Sequence, residues 1–397
     1  MNILLLTILL TTSYLSIRYT DLILSIVAIG ASFLSAKYDS VLLFHTKTFI
    51  YCILFLFLAL FSTSLAWIDK DSIDLYQFIR ALSPLFMLLF QMSLLSNSSL
   101  AAKIYNSTYF SSVVSTIEYF IYLLAVAYLG GILVSLPLMP GIYIPNSLRV
   151  FPPLSSIVIP ISILAFLSNK FKLLIACSIL LLAFQSRSNI IAFFLSTLLL
   201  ALASQGKAIS LRQLSVNKKS IILIFVICSF LFLSYAILGY RFELLLEEGD
   251  TTRRIAGELA VTAIKDTIHL FFGIGIGIPH SHGYYWDSAI NAGTTNLLPT
   301  LGDGFQRLLV NSTYDIESLY TYIQVRHGLL GAVVILSAFL HSFKTRLGFL
   351  LFAVYLIING FGSSLINTFA SPIVVTLYMY IDWLTLGSRK QSIIPYV

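Results

Sequence analysis

Several stretches of this chain run on with scarcely a charge until they reach the length of a membrane crossing. A helix needs about 20 apolar residues to cross about 30 Å of hydrocarbon. In lipid each backbone N–H and C=O must be satisfied within its own segment, so such runs fold as helices. A membrane barrel would show short alternating strands instead. The composition agrees: 58% of the 397 residues are hydrophobic and 10% are charged, against about 25% charged in a soluble domain. The chain therefore reads as an all-α, polytopic transmembrane helical bundle.

Spans are expected at 2–17, 21–36, 48–66, 76–96, 111–136, 153–168, 172–185, 188–204, 220–238, 318–340, 347–365 and 371–386, about twelve in all. The first lacks the charged start and cleavage site of a signal peptide and reads as an uncleaved span. With the N-terminus inside, alternate connections collect Lys37, Lys47, Lys103, Lys170, Lys172, Lys207, Arg212, Lys218, Lys219, Lys344, Arg346, Arg389 and Lys390 against a single acid, Asp39. That asymmetry sets the orientation, with both termini cytoplasmic. It also assigns the net charge of +7 to membrane topology, so nucleic acid is not an expected partner. Cys52, Cys177 and Cys228 fall inside apolar runs without metal-ligand spacing and read as packing residues. The organisation expected is nine helices over 1–238, a large outer connection with short helices over 239–317, and three helices with a short tail over 318–397.

Charges on the outer side stand out because positive residues favour the inside. Arg187 follows Ser186, a plausible N-cap, at the start of a span, and Arg253 and Arg254 precede another helical stretch. Guanidinium beside the free N–H groups of a helix start suits a phosphate, which the planar fork binds bidentately. The plainer reading has these arginines snorkelling to headgroups. Arg149, in a shorter outer connection, follows the same logic. Arg80 and Arg326 lie inside spans, where an arginine needs a partner or a wet cavity. Glu118 and Asp382 are intramembrane acids, readable as packing groups or as a proton or ion path. Glu317 and Ser318 end the long connection; a carboxylate there can serve as a general base or simply favour a helix start. Gly328 and Gly331 would admit a close neighbour. The run Gly273-Ile274-Gly275-Ile276-Gly277 reads as a tight turn rather than a phosphate loop, because no strand precedes it. His280, His282 and Asp287 have metal-like spacing in a loop, but no metal is expected.

The serine–arginine helix start at 186–187, the arginine pair at 253–254, the glycine run and a final motif together resemble the bacterial O-antigen polymerase and ligase superfamily. The final motif is Glu317, Ser318, nine residues, Gly328, two residues and Gly331. In the ligase version a His stands where Glu317 does, so the sequence looks more like Wzy-type polymerases. The motifs cover about 185–331, and the topology covers the whole chain.

This resemblance implies a GT-C-like bundle with a long periplasmic loop in the bacterial inner membrane. It implies an inverting, metal-independent glycosyltransferase without cofactors. The partners implied are an undecaprenyl-diphosphate-linked oligosaccharide, the bilayer and a chain-length regulator in the same membrane. Arg187 and Arg254 would stabilise the diphosphate, and Glu317 would orient or deprotonate the acceptor hydroxyl. Arg149, Arg253, Ser318, Tyr320 and Arg326 would bind substrate. Tyr322, Tyr284, Tyr285 and Trp286 would stack on sugars. The rival expectations are an O-antigen ligase acting on lipid A-core and a transporter or flippase, for which broken helices near the midplane would be the mark.

Overall fold

The structure, a computed structural model, describes residues 46–68, 75–135, 152–183, 187–204, 267–277, 319–359 and 370–391. Among these the regular structure is helical, with no strand. The helices are α1 (Thr46–Ile68), α2 (Leu75–Leu95), α3 (Ser98–Tyr105), α4 (Thr108–Ser135), α5 (Pro152–Leu167), α6 (Phe171–Ala183), α7 (Arg187–Ser204), α8 (Thr267–Phe272), α9 (Leu319–Ser342), α10 (Arg346–Asn359) and α11 (Ala370–Gln391). The expected spans at 2–17, 21–36 and 220–238 lie outside the described residues, as does most of 239–317.

Among the described residues three helices are long and apolar enough to cross a membrane: Lys47–Ile68 in α1, Phe110–Ala127 in α4 and Tyr322–Ser342 in α9. Shorter apolar helices occupy α2, α5, α6, α7, α10 and α11. The chain divides into two compact units. One gathers 1–104, 250–344 and 360–379; the other gathers 105–249, 345–359 and 380–397.

In the first unit α1 packs on α9, with α2 and α8 against them. From Ala59 onward the polarity of α1 is reversed from that of a soluble helix. Its buried stripe carries Ala59, Ser62, Thr63 and Ala66, while Ile50, Ile53, Phe57, Leu60 and Phe61 are exposed. On α9, Arg326 and His327 are buried while Leu329, Val333, Leu336 and Leu340 are exposed. Apolar faces of this extent are rare on soluble monomers; hydrocarbon is the solvent that suits them. Polar links tie the helices inside: Thr48 Oγ1 donates to the His341 carbonyl (3.2 Å) and Thr376 Oγ1 to Gln91 Oε1 (2.9 Å).

In the second unit α5 is central. Residues 156–165 are all buried, as a helix apolar on every side must be. It ends at Asn169, whose φ of 55° is the left-handed cap conformation. Asn169 N donates to the Phe166 carbonyl (3.2 Å) and Lys170 N to the Ala165 carbonyl (2.8 Å), the paired bonds of a Schellman cap. The turn is so tight that α6 starts at Phe171 and Lys170 is left pointing to Glu118, 2.7 Å away. α10 has a built start too. Thr345 Oγ1 accepts from Gly348 N (3.0 Å), a side-chain N-cap. Thr345 N and Oγ1 both donate to the buried Asp382 Oδ1 of the same unit, the first at 2.9 Å. Burial pushes the Tyr105 phenol well above its ordinary range, with Asp382 and then Tyr380 adding to the effect. Glu118 is thus held in an ion pair and Asp382 in a helix cap; neither contact supports a proton path.

Candidate functional site

Arg187 opens α7, so it stands in the first turn of that helix as its sequence context predicts. α7 carries no acid in its first turn, which leaves the helix start electropositive. The Arg187 side chain is outside the described residues, as are the side chain of Arg80 and the whole of Arg149, Arg253, Arg254, Glu317 and Ser318. Tyr284, Tyr285, Trp286, His280, His282 and Asp287 are outside them too. Tyr320 is exposed in the first turn of α9. Tyr322 is not placed for sugar stacking: it is buried, and its ring meets His327 edge-on at 5.7 Å.

The most elaborate local structure lies around Arg326. α9 is interrupted at Gly328, whose backbone is far from helical (φ 62°, ψ −171°). A break of this kind costs the preceding turn its helical donors, and carbonyls left bare in an apolar interior are expensive. The glycine run supplies the missing donors. Ile274 N donates to the Val325 carbonyl at 2.8 Å, and Gly275 N donates to the Arg326 carbonyl at 3.1 Å. Arg326 Nη1 then donates back to the Gly275 carbonyl at 3.1 Å. On the other side of the run, Thr63 Oγ1 accepts from Ile276 N at 3.0 Å and donates to the Ala59 carbonyl at 2.9 Å. Ser62 Oγ donates to the Phe272 carbonyl.

Glycines at the points of closest approach, Gly275 and Gly328 among them, make this seat geometrically possible. Gly275 has φ +83°, and a Cβ there would lie 2.5 Å from Thr63 Cα. Gly328 has φ +62°, and a Cβ there would run into the Phe271 carbonyl. The run at 273–277 is bent, with positive φ at Gly273, Gly275 and Gly277, and it is inserted between α1 and the broken part of α9. Gly328 admits the close approach of the last turn of α8, at Phe271, and of Gly273 just after it, and a Cβ at Gly331 would meet the side chain of His327.

His327 is fully buried, and both its ring nitrogens lack a hydrogen-bond partner among the described residues. Its ring sits 4.7 Å from that of Phe55. Ser62, Thr63 and His327 are not marked by the sequence, because serine, threonine and histidine inside an apolar run carry no spacing signal. Among the described residues no cluster of three or more His, Cys, Asp or Glu could hold a metal ion.

No known protein family, curated protein or solved structure matches this chain.

Proposed function

We propose that this chain is a multi-pass membrane polymerase of polysaccharide repeat units, an O-antigen polymerase of Wzy type. On this reading about twelve spans form a GT-C-like bundle in the bacterial inner membrane, both termini are cytoplasmic and the active face is periplasmic. The observation that carries the reading is the position of Arg187 at the first residue of α7. There an arginine and a helix start act on the same anion. The sequence resemblance supplies the rest: Arg253 and Arg254 before a second helical stretch, and Glu317 ahead of α9.

The donor's anomeric diphosphate is already an activated leaving group, so no nucleotide is required outside the cytoplasm. The acceptor hydroxyl oxygen attacks the anomeric carbon as the bond to the diphosphate oxygen breaks, with inversion. The proton goes to Glu317, and the lipid diphosphate leaves carrying the electron pair. Catalysis then consists of alignment and of stabilising charge on the leaving group. Arg187 and Arg254 serve that charge. Arg149, Arg253, Ser318 and Tyr320 hold the glycan and the diphosphate. A ligase fits less well because Glu317 stands where that version has His.

One observation favours a second reading. A span interrupted at Gly328 beside buried Arg326 and His327 is a feature that transporters use to build midplane sites. Against it, the carbonyls beside the break are taken up by the glycine run rather than left to line a cavity.

The test is a deletion strain complemented with wild type, Arg187→Ala, Arg254→Ala or Glu317→Gln, with membrane levels matched and lipopolysaccharide read as a ladder. Core plus a single repeat in the deletion strain, unrestored by the variants, supports the polymerase. Bare core with lipid-linked repeats on the periplasmic leaflet supports the ligase. Repeats retained on the cytoplasmic leaflet support the transporter, and an unchanged ladder refutes all three.

A further inference from the structure

We infer that Arg326 is a positioning residue: it grips the peptide group of Gly275 and pins the outer connection to the broken span. Arg326 is 2% exposed, so its guanidinium belongs to the interior of its unit rather than to an outer surface. It engages one residue at two points. Its carbonyl takes the Gly275 N–H and its Nη1 returns a bond to the Gly275 C=O, each at 3.1 Å. The Val325 carbonyl holds Ile274 N beside it, and Thr63 holds Ile276 N from α1. Every one of these contacts except that with the guanidinium is made by backbone or by Thr63, so the guanidinium is the charged group that touches the run among the described residues.

The chain between the gripped residues is long, with Gly275 and Arg326 separated by 51 positions. The clasp therefore joins two segments that are far apart in the sequence. Residues 278–318 leave from Gly277, which is packed against Phe78, and return at Leu319, which is buried at the start of α9. Both roots of that segment are fixed, and Glu317 stands two positions before the second root. Fixing the roots restricts where residues adjoining them can be. This consequence for Glu317 rests on the polymerase reading; the clasp itself does not.

The test uses the full chain in lipid nanodiscs and follows hydrogen exchange of the peptides covering 267–277 and 319–330. The variants are Arg326→Met, which keeps the bulk and removes the donors, and Arg326→Lys, which keeps a charge able to reach the carbonyl. Wild type should protect Ile274 and Gly275, although neither lies in a helix. Arg326→Met should speed their exchange about tenfold or more, as loss of a charge-assisted bond implies, and Arg326→Lys should recover much of the protection. In turnover assays with lipid-linked repeats, Arg326→Met should lower kcat and leave KM nearly unchanged, again with recovery in Arg326→Lys. Unchanged exchange in Arg326→Met overturns the inference, and so does a raised KM at unchanged kcat, which would put Arg326 on the substrate. If Arg326→Met does not fold, wild-type exchange decides: unprotected amides at Ile274 and Gly275 mean there is no clasp. Exchange as expected alongside a ladder indifferent to deletion of the chain would keep the clasp and remove the polymerase.

Discussion

Replacing Gly275 with alanine adds one carbon where the glycine run meets the backbone of α1. That carbon would lie 2.5 Å from Thr63 Cα and 2.6 Å from Thr63 N. Carbon atoms prefer about 3.5–4.0 Å, so either α1 retreats by about 1 Å or the run leaves its seat. If the run stays, a side chain in the left-handed region costs about 1–2 kcal/mol and overpacking adds about 1–3 kcal/mol. If it leaves, the bonds of Ile274, Gly275 and Ile276 and the Arg326 bond to the Gly275 carbonyl are lost, at about 1–3 kcal/mol for each buried group left unsatisfied. The first route, the cheaper, places the loss at about 2–5 kcal/mol. Unfolding in mixed micelles, titrated with a denaturing detergent, would measure it. Ser64→Ala serves as the control, since Ser64 is exposed on the same helix and should change stability by less than about 0.5 kcal/mol. Gly275→Ala and Arg326→Met should also be non-additive, with coupling of about 0.5–3 kcal/mol. A Gly275→Ala protein as stable as the Ser64→Ala control would refute the seat.

The other predictions concern separate features. Thr345→Val removes the α10 cap and should cost about 0.5–2 kcal/mol, while Thr345→Ser stays close to wild type; thermal unfolding in detergent compares them. A nitroxide at Phe57→Cys or Val333→Cys should be relaxed strongly by oxygen and weakly by a water-soluble nickel chelate, because both positions are exposed apolar sites on long apolar helices. The reverse pattern would place those faces in water and defeat the membrane reading. His327→Phe replaces two unpartnered ring nitrogens with carbon among Phe55 and Tyr322, and stability should hold within about 1 kcal/mol. Activity retained in that variant would also deny His327 a proton-coupling role and weaken the transporter reading.

The helices were the most legible part of the fold, because each reports its own environment. Apolar runs at 48–66, 111–136 and 318–340 correspond to α1, α4 and α9, and the helix start at Arg187 was visible in its neighbours. The short helix α3 was not expected; its eight residues are too few to show a clear period. The glycine run was visible as something unusual, but its role was not. Its partners stand far away in sequence, and nothing local says that Ile274 will bond to Val325. The break in α9 was hidden for a related reason. Apolar residues continue on both sides of Gly328, so the pattern of a span runs straight through it. Arg326 was the clue, since a charge inside a span must be compensated. The sequence could raise that question, and only the fold could supply a carbonyl as the answer. For Arg253, Arg254, Glu317 and Ser318 the reading still stands on the sequence.

The seat of the glycine run has a consequence for how this chain can vary. What α1 and α9 recognise at 273–277 is main chain: three amides, the Gly275 carbonyl and the space where side chains are missing. Information of this kind is written as absence. Gly275 and Gly328 should resist every replacement, whereas the hydroxyl at position 63 should accept serine for threonine with little loss. A change at Gly328 would have to be answered at Phe271 and Gly273, whose backbone atoms a Cβ there would meet, and a change at Gly275 would have to be answered at Thr63. Among diverging descendants of this chain, the two glycines and the arginine between their two segments would be the last features to drift, outlasting the apolar residues that make up most of its length.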